Sequence, residues 1–416
     1  MFDHPPRERE IVSWGYAVFW AGLTYVTVPY VSVGVTYVRQ NIGSGFFTYT
    51  VVALVLLVAG WALYSIRGRL TVPSFLWLTG IAGLIAYLAF GLAGGSPVEA
   101  VHYVQYGTLS ILLFRAFSHR VRDVSIYVAV TLTGTLAGMV DETIQWLTPH
   151  RVFDLRDVWL NCKATALVQI GLAAGIRPKI ISGMPGWASL RRLCLLSAVV
   201  LGYLGLCVQN TPDRVAWYAS TVQGLGFIDP LRNIMVEHGY LQGDEAGVSF
   251  RSRLTLAELR NATLEHTEED APNLDYIHQR ESEGGFNFRE LLLSNIYLYE
   301  ARLHQLRRDQ RLTRAEGSDD PIRKAQDFAE AYWENIILKD YFSQAVPGTR
   351  YEWHPEKENT VRASADLTGR YHSSISTHLL VAFSPRQLAV LCFGGVVLLL
   401  LGAVACNLAL IRTPTA

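Results

Sequence analysis

The chain has 416 residues, half of them apolar, with 10 Trp and 20 Tyr, and its 36 acidic and 36 basic residues cancel. No nucleic-acid partner is expected, and so many apolar residues exceed what one soluble core of this length needs. Its five cysteines, all in apolar stretches, exclude a disulfide framework, a zinc spacing and a Cys-x-x-Cys-His haem site, so no cofactor is expected.

A membrane helix needs about 20 apolar residues. Stretches near that length occur at 14–38, 46–66, 72–93, 100–117, 124–147, 158–176, 193–209 and 387–411. The second, third and last carry no charge. The fourth, fifth and sixth carry His102 and Arg115, Asp141 and Glu142, and Lys163, so each is expected to face protein rather than lipid. The predicted architecture is a mainly α polytopic transmembrane bundle of about eight spans, with a mostly helical extracytoplasmic domain inserted before the last span. The mixed flank Arg7-Glu8-Arg9-Glu10 and the long first stretch argue against a cleavable signal, so the first span is expected to be retained.

Lys and Arg in short loops set the orientation. With the N-terminus inside, the inner segments hold Arg7, Arg9, Arg67, Arg69, Arg115, Arg120, Arg122, Arg177, Lys179, Arg191 and Arg192, against only Arg39, Arg151 and Arg156 outside. This bias predicts a multi-pass inner-membrane protein with both termini cytoplasmic and residues 210–385 extracytoplasmic.

Residues 210–385 hold 27 acidic against 19 basic residues, whereas the rest of the chain is basic by the same margin. The overall neutrality therefore hides two oppositely charged parts. An acidic outer module suits a cationic soluble partner, or simply a solvated surface kept off an anionic membrane. Apolar spacings of three and four predict helices over 254–264, 288–312 and 322–345, with loops at 267–273 and 315–321 and a break at Glu283-Gly284-Gly285. Alternation over 349–383 suggests a short hairpin or two. No catalytic pattern assembles here. His266 with Glu268, Glu269 and Asp270 lacks the helical spacing of a metal site and reads as a solvated turn.

The densest polar run lies where hydropathy demands membrane. Asp141, Glu142 and Gln145 close the fifth span, Pro149 and Arg151 follow, and Asp154, Asp157 and Asn161 open the sixth. Ionisable groups in a bilayer cost about 2.5 kcal/mol or more each on insertion scales, so they persist where they pair, face a polar cavity or act. On the fourth span Glu99, His102, Tyr106, Leu109 and Leu113 fall in one helical stripe. Asp154 or Asp157 is typed to cap the sixth span. Three helix ends thus bring His, Tyr, Asp, Glu, Gln, Arg and Asn to one depth.

These residues resemble the VanZ-like family of multi-span membrane proteins. Its pattern, a charged residue before His-x-x-x-Tyr-x-x-Leu, then Asp-Glu-x-x-Gln-x-x-x-Pro-x-Arg-x-x-Asp-x-x-Asp-x-x-x-Asn, is met by Glu99, His102, Tyr106, Leu109, Asp141, Glu142, Gln145, Pro149, Arg151, Asp154, Asp157 and Asn161. The resemblance covers roughly 72–176. It divides the chain into a two-span extension at 1–71, this core, an inner loop and seventh span at 177–209, the acidic domain at 210–385, and the last span and tail at 386–416. It departs from the family after Asn161, where Cys162-Lys163-Ala164 and Ala166-Leu167-Val168 replace small glycines and put Lys163 in the membrane, to pair with Asp141 or Glu142 or to snorkel.

The family is linked to glycopeptide resistance through the cell envelope, with no settled reaction, so the resemblance implies a fold and a site more than a function. Three readings follow. The chain is a non-catalytic accessory or scaffold subunit of a larger bacterial membrane complex, docking membrane-protein partners through 210–385. Or the Asp141–Arg151 pocket binds or modifies the head group of a membrane lipid. Or the polar set is only an interhelical network.

Overall fold

The computed structural model describes residues 6–43, 45–92, 97–148, 151, 153–228, 233–243, 247–265, 272–283, 288, 291–375 and 380–412. It is mainly helical and divides into two compact units. The first comprises 1–210, 222–228 and 387–416; the second comprises 211–221 and 229–386.

The first unit begins with α1 (Glu10–Asn41), α2 (Phe46–Ser65) and α3 (Val72–Leu92). It continues with α4 (Val101–Phe117), α5 (Ser125–Trp146), α6 (Leu155–Ile170) and α7 (Trp187–Cys207), and takes in the last helix of the chain, Pro385–Arg412. Among the described residues five helices are long and apolar enough to cross a membrane: Glu10–Tyr30, Phe46–Ser65, Val72–Gly91, Trp187–Cys207 and Pro385–Arg412. Their flanks are exposed hydrocarbon, with Leu57 68 %, Tyr87 73 % and Val390 73 % exposed, as a lipid-facing surface requires. Helices also occupy the three less hydrophobic stretches, but α4 and α6 have only 17 and 16 residues and α5 ends in Asp141 and Glu142.

Those three helices form the centre of the unit. On α5 the buried residues Ile126, Val130, Gly134, Gly138, Asp141 and Gln145 make one stripe at steps of three and four. The glycines let α6 approach closely. A Cβ on Gly134 would lie 2.7 Å from Thr165, and one on Gly138 would lie 2.8 Å from the Cβ of Asn161. Lower down, the Ser110 hydroxyl donates to the Thr165 carbonyl (3.1 Å) and the Gln169 amide donates to Ser110 Oγ (2.8 Å), which ties α4 to α6. From α1, Trp20 donates its indole N–H to the Gln105 carbonyl (2.9 Å) and Tyr25 its hydroxyl to the Ala137 carbonyl (2.9 Å). At the other end of α4, Glu8 takes a bidentate pair from Arg115, which holds its carboxyl down at about 2.

Beyond α6 the backbone widens into a π-helix, Gly171–Ile176, closed by Arg177 in the left-handed region at φ 51°. That conformation is rare for a side-chain-bearing residue.

In the second unit, α8 (Pro212–Thr221) precedes two short β segments, β1 (Glu237–His238) and β2 (Tyr240–Gly243), and β3 (Val248–Ser252). Then come α9 (Leu256–Glu265), α10 (Leu274–Glu283), α11 (Leu291–Ser294), α12 (Ile296–Glu316), α13 (Pro321–Tyr341), α14 (Pro355–Ser364), β4 (Tyr371–His372) and β5 (Leu380–Val381). The final helix of the first unit is α15. β3 lies between β2, antiparallel, and β4, parallel, while β1 pairs with β5. Phe250 on β3 is fully buried against the rings of His304, Tyr341 and Phe342.

The expected helix over 288–312 is broken at Asn295, whose side chain accepts from the Leu298 amide (3.0 Å) and starts α12. The region 349–383 differs more. It holds a helix rather than hairpins, because Pro355 suits the first helical position, Glu356 and Glu358 sit in the first turn and Arg362 in the last. Its strands pair with distant β1 and β3, which alternation alone does not reveal. The residues read as a solvated turn around His266, and most of the 267–273 loop, lie outside the described residues.

Candidate polar site at the ends of three helices

The site is built where the N-terminal ends of α4 and α6 meet the C-terminal end of α5. Glu99 lies in a 3-10 turn just before α4 rather than on the helix itself. His102 stacks on Tyr106, one turn on, with ring centroids 6.1 Å apart. Asp141 and Glu142 are buried at the end of α5, and Gln145 follows a turn later. Asp154 caps α6, its Oδ1 accepting from the Arg156 amide at 2.8 Å, so the cap falls to Asp154 and not Asp157. Asp157, half-buried, shares its surroundings with Asp154, Glu99, Arg156 and Arg151. Pro149 lies outside the described residues.

The cluster has two chemically distinct halves. In the first, every group answers another. Glu142 accepts from the Gln145 amide (2.6 Å) and from the backbone N–H of Asp154 (3.0 Å). The Arg151 guanidinium donates to Gln145 Oε1. Asp154 takes the Arg156 guanidinium at 2.6 Å. This half is a clasp that fastens the α5–α6 connection, and Glu142 satisfies one of the N–H groups that every helix start leaves open.

The second half is not closed. Tyr106 donates to Asp141 Oδ2 (3.0 Å), but Asp141 Oδ1 has no hydrogen-bond partner among the described residues. Neither has His102 Nδ1, nor either atom of the Asn161 amide, although Asn161 is fully buried. Leaving one buried polar group unpaired costs about 1–3 kcal/mol. Asn161 is held against Gly138, one turn before Asp141, and Asp141 lies within electrostatic range of His102 and Arg151. His102 lies within hydrogen-bonding reach of the Asn161 amide, while Asp141 Oδ1 faces this pair without a hydrogen-bond partner among the described residues. Among the described residues no group of His, Cys, Asp and Glu is arranged to hold a metal ion.

Lys163 is half-buried and pairs with neither Asp141 nor Glu142 among the described residues. Two positions beyond Asn161 on the helix, it is turned away from the Asn161–Thr165 stripe that meets α5. The residues missed in the sequence are Gly134 and Gly138, with Tyr25 and Ser110. The glycines are legible as Gly134-Thr135-Leu136-Ala137-Gly138, a small-xxx-small motif on α5 rather than on α6, where the family's glycines were sought.

Residues 13–174 match the model of the VanZ/LLP1 family. The resemblance read from the polar residues is therefore shown, and the chain carries a VanZ-like membrane region. The match reaches back into α1 and takes in α2. No curated protein and no solved structure matches the chain.

Proposed function

We propose that this VanZ-like protein binds the polar head group of an envelope lipid at the His102–Asp141–Asn161 cluster. It spans a bacterial inner membrane eight times, with both termini cytoplasmic and residues 210–385 outside. The single observation that carries the reading is the buried Asp141 Oδ1, which has no hydrogen-bond partner among the described residues although His102 and Asn161 lie beside it, next to a clasp in which comparable groups are paired. Asp141 Oδ1 and Asn161 Oδ1 are acceptors and the Asn161 amide is also a donor, a set that matches hydroxyl groups of a head group. The bias of short-loop cations supports the orientation.

The test is lipid retention. Purified full-length protein in nanodiscs of phosphatidylethanolamine and phosphatidylglycerol is washed, and bound lipids are identified by mass spectrometry. Asp141→Asn and Asn161→Ala are expected to lose a lipid class that the parent and Lys163→Gln retain. Identical lipid sets in all four sink the reading.

A second reading has its own observation. The second unit has a separate apolar core around Phe250, Leu298 and Ile337 and carries the chain's acidic excess. This supports an accessory subunit whose outer unit docks a partner, protein or cationic. A stable monomer on native gels in mild detergent, with nothing co-purifying, would refute it.

A further inference from the structure

An apolar groove runs along one side of α4 within the first unit, walled by α2, α3, α4 and the α6 π-helix. Its lining includes Ala59, Ala82, Gly107, Thr108, Gly171 and Ile176. We propose that one acyl chain of the lipid whose head group is read at Asp141 lies in this groove; the inference rests on that reading and extends it from head to tail.

Three observations converge. First, the groove and the polar cluster share a wall, because Tyr103 lines the groove while His102 and Tyr106, its neighbours on α4, belong to the cluster. Second, the floor is small. A Cβ on Gly107 would meet Val168 at 3.5 Å and one on Gly171 would meet Ile81 at 3.7 Å, so the glycines leave room without strain in the surrounding packing. Third, the π-helix supplies Gly171, Leu172 and Ile176 to the lining, and insertions of this kind recur at functional sites.

Length agrees as well. Gly107 lies beside Val168, so the lining descends four residues from Tyr103 to that level and eight more to Ile176. At 1.5 Å per residue this is roughly 18 Å, slightly more than one leaflet of the ~30 Å hydrocarbon core. Between membrane helices hydrocarbon is the occupant that such a lining fits, and a chain anchored by its head group would be held there rather than exchanging with bulk lipid.

The full-length protein in nanodiscs doped with a phosphatidylglycerol bearing a diazirine on its acyl chain is photolysed, and labelled peptides are mapped. Labelling of the α4 and π-helix peptides is expected to exceed that of the exposed α15 face around Val390 and Leu398 by about tenfold, a difference of about 1.4 kcal/mol. Thr108→Trp and Ala59→Phe, which fill the groove from opposite walls, should each abolish the excess, while Thr108→Val keeps it; thermal melts verify that the filled variants fold. Asp141→Asn should lower it. Even labelling over all helices, or labelling unchanged in both filled variants, overturns the groove. Groove labelling lost with Thr108→Trp but untouched by Asp141→Asn overturns the head-group reading instead.

Discussion

Both units bury charge, and they do so in opposite ways. In the second unit the polar interior of α12 and α13 is nearly saturated. Glu334, fully buried, accepts from Tyr371 (2.6 Å) and Ser373 (2.7 Å) and faces His304 Nδ1 at 2.6 Å. Arg308 donates to Asn335 (2.9 Å) and to the Tyr351 carbonyl (2.7 Å) under the Trp353 ring. Glu300 holds Ser252 and Arg253. The unpaired atoms that remain there include nitrogens of Arg253, Arg302 and Arg307, whose guanidinia are bonded elsewhere, together with His238 Nδ1 and the Trp353 indole N–H. In the membrane unit, by contrast, a carboxylate oxygen of buried Asp141 has no hydrogen-bond partner among the described residues. A saturated network reads as architecture; an open one in hydrocarbon reads as a place for something else to bind.

The comparison breaks most visibly where a buried pair loses one member. Glu334→Ala strands His304, Tyr371 and Ser373, and removing one partner of such a buried network costs about 3–5 kcal/mol. Thermal unfolding of the second unit should show this loss, and a melt within a degree of the parent would mean that the network is dispensable.

Gly138→Leu comes next. Its side chain must displace Asn161, and overpacking of this kind costs about 1–3 kcal/mol. Resistance to detergent-induced unfolding should fall, and Gly134→Leu should behave alike.

Within the cluster the two halves should separate. Asp154→Ala removes the α6 cap for about 1 kcal/mol. Asn161→Leu removes at most its contact with His102, so its effect on stability should stay within the roughly 0.6 kcal/mol average of a membrane hydrogen bond, while lipid retention falls. Equal destabilisation by both substitutions would make the open half as structural as the clasp.

The last effect, confined to acid pH, concerns Glu8. Arg115 holds its carboxyl at about 2 in the fold, below the usual 4.5. The pair therefore contributes stability above pH 4.5 and loses it as pH falls from there toward 2. A pH series of melts on Arg115→Gln should lack that acid-dependent loss.

Much of this was readable before any coordinates. The polar residues could be picked out because a charge inside an apolar run is improbable unless something answers it, and the helix-end spacing of His102 and Tyr106 against Asp141 and Asn161 follows from 3.6 residues per turn. Hidden from view was which of these groups would pair. Glu142 and Asp141 are neighbours of similar type, yet one closes the α5–α6 connection and the other faces His102 with a bare oxygen. That choice depends on side-chain direction and on the close approach made by Gly134 and Gly138, neither of which is local.

The second unit teaches the same lesson on a larger scale. Its amphipathic helices follow from the period of Leu and Ile, but α14 escaped notice because its signals are Pro355 and charges at its ends rather than an apolar stripe. Strands of two residues such as β4 and β5 exist only through partners more than a hundred residues away. Sequence by itself determined the class, the apolar helices, the charge division and the family, because each is a property of composition or short-range period. Only the tertiary structure decided which polar groups are answered and where the groove opens, because hydrogen bonding and packing are relations between helices that the chain order does not contain.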